Sequence, residues 1–306
     1  AYQEREGGRD YVDAAYRLEG EHYALAVGAY DASRPLYIDP LLASTFVGGG
    51  GSDKAYAVEL DASGNVYVVG ETISPPLAPE THVYTTTAES QTEVLVAKLD
   101  AGLEHLLASA LIGGEGDEVG KSLAIDGTTG TVFVGGLTSS PDYPTTSGAY
   151  SRNFNGDDVD AFVTALNSDL TLQASTYLGG ESAEEIQALA LSGGLVYAAG
   201  YSGSDAFPSG AAVHGPGGGN DVFVAALAAD LGAIMHAARL GGASTEKDIS
   251  MAVDGGGSVY VTGYTISGDY PTTGGPSRAG TTDGFVTKLT ANLQTVLASR
   301  LIGWNI

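Results

Sequence analysis

Short runs in which apolar and polar residues alternate recur along the chain, and no stretch sustains the 3.6-residue apolar period of an amphipathic helix. Phe162, Thr164 and Leu166 fall on one side of such a run, with Val163 and Ala165 on the other. The first complete group of runs lies at about 55–61, 66–72, 93–99 and 105–112. A phrase opening at Ala43-Ser44-Thr45-Phe46-Val47-Gly48-Gly49 precedes it. The phrase returns at Ala108–Gly114, Ala174–Gly180, Ala237–Gly242 and Ala298–Gly303. The leading glycines stand at 48, 113, 179, 241 and 303, spaced by 65, 66, 62 and 62 residues. A period of that length, filled with strands, marks a repeat architecture.

Each unit supplies four strands. The first hairpin turns at Asp61–Asn65, Asp126–Gly130, Ser192–Gly194 and Asp254–Ser258, where glycine provides positive φ and aspartate bonds back to turn amides. A longer second loop carries Asp142-Tyr143-Pro144, Asp205-Ala206-Phe207-Pro208 and Asp269-Tyr270-Pro271, and the first unit departs from this with Ser74–Pro79. Four short antiparallel strands, repeated, predict an all-β fold, a β-propeller of four-stranded blades. Four repeats plus a composite N-terminal blade give a five-bladed ring. A four-bladed ring with an added hairpin, and a longer ring cut at Ile306, are the alternatives. Residues 1–42 form an N-terminal β segment that completes or flanks the propeller. The repeats fill 43–306, as 43–107, 108–173, 174–235, 236–297 and the start of a further unit at 298–306.

Residues 1–10 are polar and read as frayed. Strands are predicted at 15–19 and 22–30 around Gly20-Glu21, with a third at 36–39 that stops at Pro40. The chain opens Ala1-Tyr2-Gln3-Glu4 without methionine or a signal peptide, which reads as a processed or excerpted chain.

Leu-Gly-Gly followed by acids, Gly-x-Val-Tyr-Val-x-Gly, Asp-Tyr-Pro-Thr-Thr and Asp-x-Phe-Val-x-Lys-Leu resemble the bacterial β-propeller repeat known as the SBBP repeat, most closely over Gly241 to Leu289. Val27–Asp31 and Arg34–Pro40 resemble the segment that precedes such repeats. The resemblance implies a secreted or cell-surface propeller and carries over no reaction.

Composition narrows the partners. Thirteen Lys and Arg against 37 Asp and Glu give a net charge of −24, which repels nucleic acid and anionic membrane and favours cations, basic partners or solubility in salt. Cysteine is absent, so thiolate metal sites and disulfides are excluded. No apolar run reaches the ~20 residues of a membrane-spanning helix.

Candidate chemistry lies in the acids. Four residues after each Gly-Gly stand Asp53, Glu118, Glu184 and Glu246, a register that could ring one mouth of the channel and attract cations, or cap its own loops. A second acidic register, Glu93, Asp160, Asp221 and Asp283, precedes the third strand and suits loop amides. The insertion holding Asn153, Asn155, Asp157, Asp158 and Asp160 offers hard oxygens of the kind calcium prefers, or a plain acidic loop. Tyr143, Phe207 and Tyr270 could stack on a sugar or anchor their loops. The five histidines form no His-Glu-x-x-His, and no nucleophile elbow or phosphate loop is complete.

The expected function is therefore a non-enzymatic extracellular or cell-surface scaffold for adhesion or assembly, self-associating into fibres by strand addition. The alternative is a glycan- or calcium-binding propeller, and a third reading is an enzyme with a carboxylate cluster at the channel mouth. No cofactor is required, with calcium the one candidate, and the partners are the chain itself, a surface glycan or a protein.

Overall fold

The structure is a computed structural model that describes residues 1–19, 22–37, 43–74, 81–84, 91–156, 158–274 and 281–303. The chain divides into two compact units, Ala1–Phe46 and Val47–Ile306. No helix occurs among the described residues.

In the first unit β1 (Tyr2–Arg5) pairs with β2 (Gly8–Tyr11) as a hairpin, and β3 (Ala14–Glu19) pairs antiparallel with β4 (His22–Val27). The expectation of a frayed terminus is corrected here. Gln3 is buried and its side chain bonds the carbonyls of Asp31 at 2.8 Å and Arg34 at 3.1 Å, so the polar N-terminus is held by specific partners. The third expected strand is one bridge, Tyr2 to Tyr37, with the two rings stacked 5.2 Å apart; Ile38 and Asp39 lie outside the described residues.

The second unit contains four sheets among its described residues. The first is built from β5 (Asp53–Leu60), β6 (Val66–Thr72), β7 (Thr81–Tyr84), β8 (Glu93–Leu99) and β9 (Leu106–Ile112). The second contains β10 (Glu118–Ile125), β11 (Val132–Thr138), β12 (Asp160–Leu166) and β13 (Leu172–Leu178). The third contains β14 (Glu184–Ser192), β15 (Leu195–Ser202), β16 (Ala212–His214), β17 (Asp221–Ala228) and β18 (Ile234–Leu240). The fourth contains β19 (Glu246–Val253), β20 (Val259–Thr265), β21 (Asp283–Leu289) and β22 (Val296–Ile302). Each is a four-strand antiparallel meander, as the alternation predicts. The turns form as their residues dictate: Asp61 Oδ1 accepts the amides of Ser63 and Asn65 at 2.9 Å, and Gly64 has φ +81°.

Two sheets carry a fifth strand that the pattern did not foresee. β7 and β16, both taken from the second loop, run parallel to the outermost strands β9 and β18. In the other two sheets the same loop bonds the outermost strand without forming a strand, through Thr146 N to Ser175 O and Thr273 N to Ser299 O, both 3.1 Å. All four outer edges are therefore covered.

The sheets stack face to face. Phe162 and Leu166 belong to the core shared with the first sheet, while Val163 and Ala165 belong to the core shared with the third. A third core joins the third and fourth sheets through Tyr197, Val224, Phe285 and Leu301. Among the described residues the first and fourth sheets share no core. A five-bladed ring is not what the described residues display; four stacked sheets are.

Candidate functional site

Each repeat carries one acid of each register, and the fold brings together acids of adjoining repeats. Each junction sets the third-strand acid of one sheet beside the first-strand acid of the next. A Cβ added at Gly113 would stand 1.7 Å from Glu93 Oε2 and 2.3 Å from Glu118 Oε2. At Gly241 it would stand 1.8 Å from Asp221 Oδ1 and 2.8 Å from Glu246 Oε2. Glycine is required there because any side chain would occupy the space of the carboxylates.

The first-strand acids share one set of partners. Glu118 accepts from Thr138 Oγ1 at 2.7 Å, from Ser140 Oγ and from the amide of Gly114 at 2.9 Å. Glu184 accepts from Ser202 at 2.6 Å, Ser204 at 2.7 Å and the amide of Gly180 at 2.6 Å. Glu246 accepts from Thr265 at 2.5 Å and from Gly242 N at 3.2 Å. Asp53 accepts from Thr72, from Ser74 at 3.0 Å and from Gly49 N at 3.0 Å. The acid thus ties the Gly-Gly loop to the end of the second strand. Sequence reasoning missed its hydroxyl partners, although Thr72/Ser74, Thr138/Ser140, Ser202/Ser204 and Thr265/Ser267 recur two residues apart in every repeat.

Burial shifts the titration of four of the junction acids. It raises Glu118 and Glu184 above the usual carboxylate range, against the pull of their hydroxyl and amide donors. It raises Asp160 to about 6, opposed by the loop amides and reinforced by the charge of Glu184. Asp221 is likewise pushed to about 6 by burial; Arg239 opposes this and Glu246 adds to it. Asp221 Oδ1 is buried without a hydrogen-bond partner, while Arg239 Nε lies 3.4 Å from Oδ2.

The insertion does not gather its oxygens. Asp160 turns inward and accepts the amides of Asn155 at 2.8 Å and Gly156 at 3.2 Å, whereas Asn153, Asn155 and Asp158 are exposed. Asp157 lies outside the described residues. Among the described residues no group of three or more His, Asp or Glu is arranged to hold a metal ion.

The aromatic candidates are buried, so they present no face to a sugar. Tyr143 packs on Phe162 with centroids 4.6 Å apart, Phe207 on Phe223 at 5.3 Å and Tyr270 on Phe285 at 4.5 Å. Tyr143 and Tyr270 also bond Thr164 at 2.9 Å and Thr287 at 3.0 Å. The aspartate before each tyrosine reaches back across the loop: Asp142 accepts Glu115 N and Asp269 accepts Ala243 N, both at 2.8 Å. At the opposite end of the strands an open cleft of about 530 Å³ lies between the turns of the second and third sheets. Its carboxylate, Asp126, accepts the amide of Thr128 within its own turn at 2.8 Å.

These features define an all-β protein of stacked, repeated sheets whose conspicuous acids are built into its loops. Residues 1–41 match a family described as a domain of unknown function, DUF7948. No curated protein matches the chain.

Proposed function

We propose that the four sheets are successive blades of a β-propeller of the SBBP kind, and that the chain is a non-enzymatic scaffold, secreted or cell-surface, for adhesion or assembly. The observation that carries this reading is the use made of the junction acids. Glu118 and Glu184 each spend their carboxylate on two hydroxyls and one amide, holding loops rather than facing a cleft. Side chains committed in this way position backbone and are poorly placed for a general acid or base, which must reach the proton it moves. The acidic surface agrees with a soluble partner or a cation rather than nucleic acid.

A second reading, a calcium- or glycan-binding propeller, is favoured by the exposed oxygens of Asn153, Asn155 and Asp158 on one loop. A glycan array run with calcium and with chelator, together with calorimetry, separates the two. The scaffold reading expects no heat on adding millimolar calcium and no change in melting temperature with chelator. Heat that disappears in Asp158→Asn, with a melting point that falls on chelation, would support the second reading instead.

A further inference from the structure

In the second and fourth sheets an aspartate stands just before the loop aromatic and closes the Gly-Gly loop, Asp142 on the amide of Glu115 and Asp269 on the amide of Ala243, both at 2.8 Å. The third sheet writes this stretch Asp205-Ala206-Phe207, with its aspartate one residue out of step. Ala206 therefore takes the aspartate position. The amide of Glu181, the counterpart of Glu115 and Ala243, has no hydrogen-bond partner among the described residues. The space around the glycines records the same loss. A Cβ built at Gly114 would meet Asp142 Oδ1 at 2.3 Å, and one at Gly242 would meet Asp269 Oδ1 at 2.6 Å. At Gly180 the nearest atoms belong to Ser204 and Phe207, and no carboxylate oxygen is among them.

A pocket of about 160 Å³ opens where the carboxylate is missing, lined by Gly180, Glu181, Asp205, Ala206 and Phe207. Tyr150, from the second loop of the second sheet, lines it too and is 37% exposed, whereas Tyr143, Phe207 and Tyr270 are buried. Asp205 is exposed, and its carboxylate accepts no hydrogen bond among the described residues. Its backbone is held from below, because the buried Arg239 of β18 donates to the Asp205 carbonyl.

The pocket thus offers a donor, an acceptor and an aromatic ring, and these select a ligand class. A carboxylate would suit the amide but would meet the charges of Asp205 and Glu181. An ammonium would suit Asp205 and leave the amide unpaired. An apolar group would satisfy neither, which is costly where polar groups lose water. A hydroxyl both donates and accepts, so two neighbouring hydroxyls on one ring serve the amide and the carboxylate together. Sites for drug-sized ligands start near ~300 Å³, and this smaller pocket suits a single sugar ring.

We infer that this pocket binds one pyranose residue of a neutral saccharide, with one hydroxyl on the Glu181 amide, its neighbour on the Asp205 carboxylate and the ring against Tyr150. The inference rests on the scaffold reading, to whose adhesion role it gives a ligand. It uses no calcium.

Amide NMR spectra of the nitrogen-labelled chain, titrated with the methyl glycosides of glucose, galactose, mannose, fucose, xylose and N-acetylglucosamine to about 50 mM, test it across the millimolar affinities expected of a single ring. At least one glycoside should shift the Glu181 and Asp205 signals saturably, equally with calcium and with chelator. Ala206→Asp, which restores the residue of the other sheets, should weaken that binding by about tenfold or more, as should Tyr150→Ala, with circular dichroism unchanged in both. Thr128→Asp, the same charge on an exposed turn at the opposite end of the strands, should leave it unaltered. Glu181 unmoved by all six glycosides, or Ala206→Asp binding as wild type does, overturns the pocket. Glu181 unmoved and the glycosides intact overturns the pocket alone. A glycoside that binds and is hydrolysed, releasing methanol into the same sample, overturns the non-enzymatic reading alone.

Discussion

At the scale of single residues, burial and hydrogen bonding pull Glu118, Asp160, Glu184 and Asp221 in opposite directions, and burial prevails. Asp160 and Asp221 titrate near 6 in the folded chain, above the ordinary aspartate range. A raised carboxylate pKa means that the folded state keeps a proton the unfolded chain has released. Their contribution is complete below about pH 4 and is lost as pH rises through 6. The turn acids act in the opposite sense. Asp126, lowered by amides of its own turn, and Asp254, lowered by the amide of Ser258, lose their contribution as pH falls into the acid range. Thermal melting should therefore peak near pH 4, decline as pH rises through 6 and level off above about pH 7. Asp221→Asn should flatten part of that decline, by about 1–2 kcal/mol between pH 5 and 8. A melting temperature that climbs steadily to pH 8, with no change in slope in the variant, would show these groups to be ionised at no cost.

At the scale of elements, the third hairpin holds a feature that its sequence conceals. Leu103, Leu170, Leu231 and Leu293 all adopt positive φ, between 57° and 67°, a region costly for a residue with a Cβ. Turn chemistry leads one to expect glycine or asparagine there. Leucine is retained because its side chain plugs a core: Leu170, Leu231 and Leu293 are fully buried, one in each of the three inter-sheet clusters. Leu103 is only half-buried, as its place on the first sheet of the row requires. Leu231→Ala should cost about 2–5 kcal/mol in denaturant unfolding, and Leu103→Ala about 1 kcal/mol. Equal losses at the two positions would contradict the plug.

The strands themselves were legible. Alternation such as Phe162-Val163-Thr164-Ala165-Leu166 sorts directly into two faces, and the returning Gly-Gly marks each passage between sheets. The pairing of Glu93 with Glu118, or of Asp221 with Glu246, was not legible, because its members come from adjoining repeats and meet only when sheets stack. Thr81–Tyr84 and Ala212–His214 escaped notice for another reason. Runs of four and three residues are too short for a period to register, and their pairing with β9 and β18 is set by the tertiary fold. The burial of Tyr143, Phe207 and Tyr270 was one of two readings open to the sequence, and Phe162, Phe223 and Phe285 beneath them account for it.

At the scale of the second unit, the described residues place the second and third sheets in two inter-sheet cores each and the first and fourth sheets in one. Backbone stability should follow that order, since opening is easiest where fewest apolar contacts are lost. Hydrogen–deuterium exchange, read peptide by peptide, tests this most directly. β12 and β17 should exchange slowest, with β5 and β22 much faster. Equal protection of all four sheets would contradict this account.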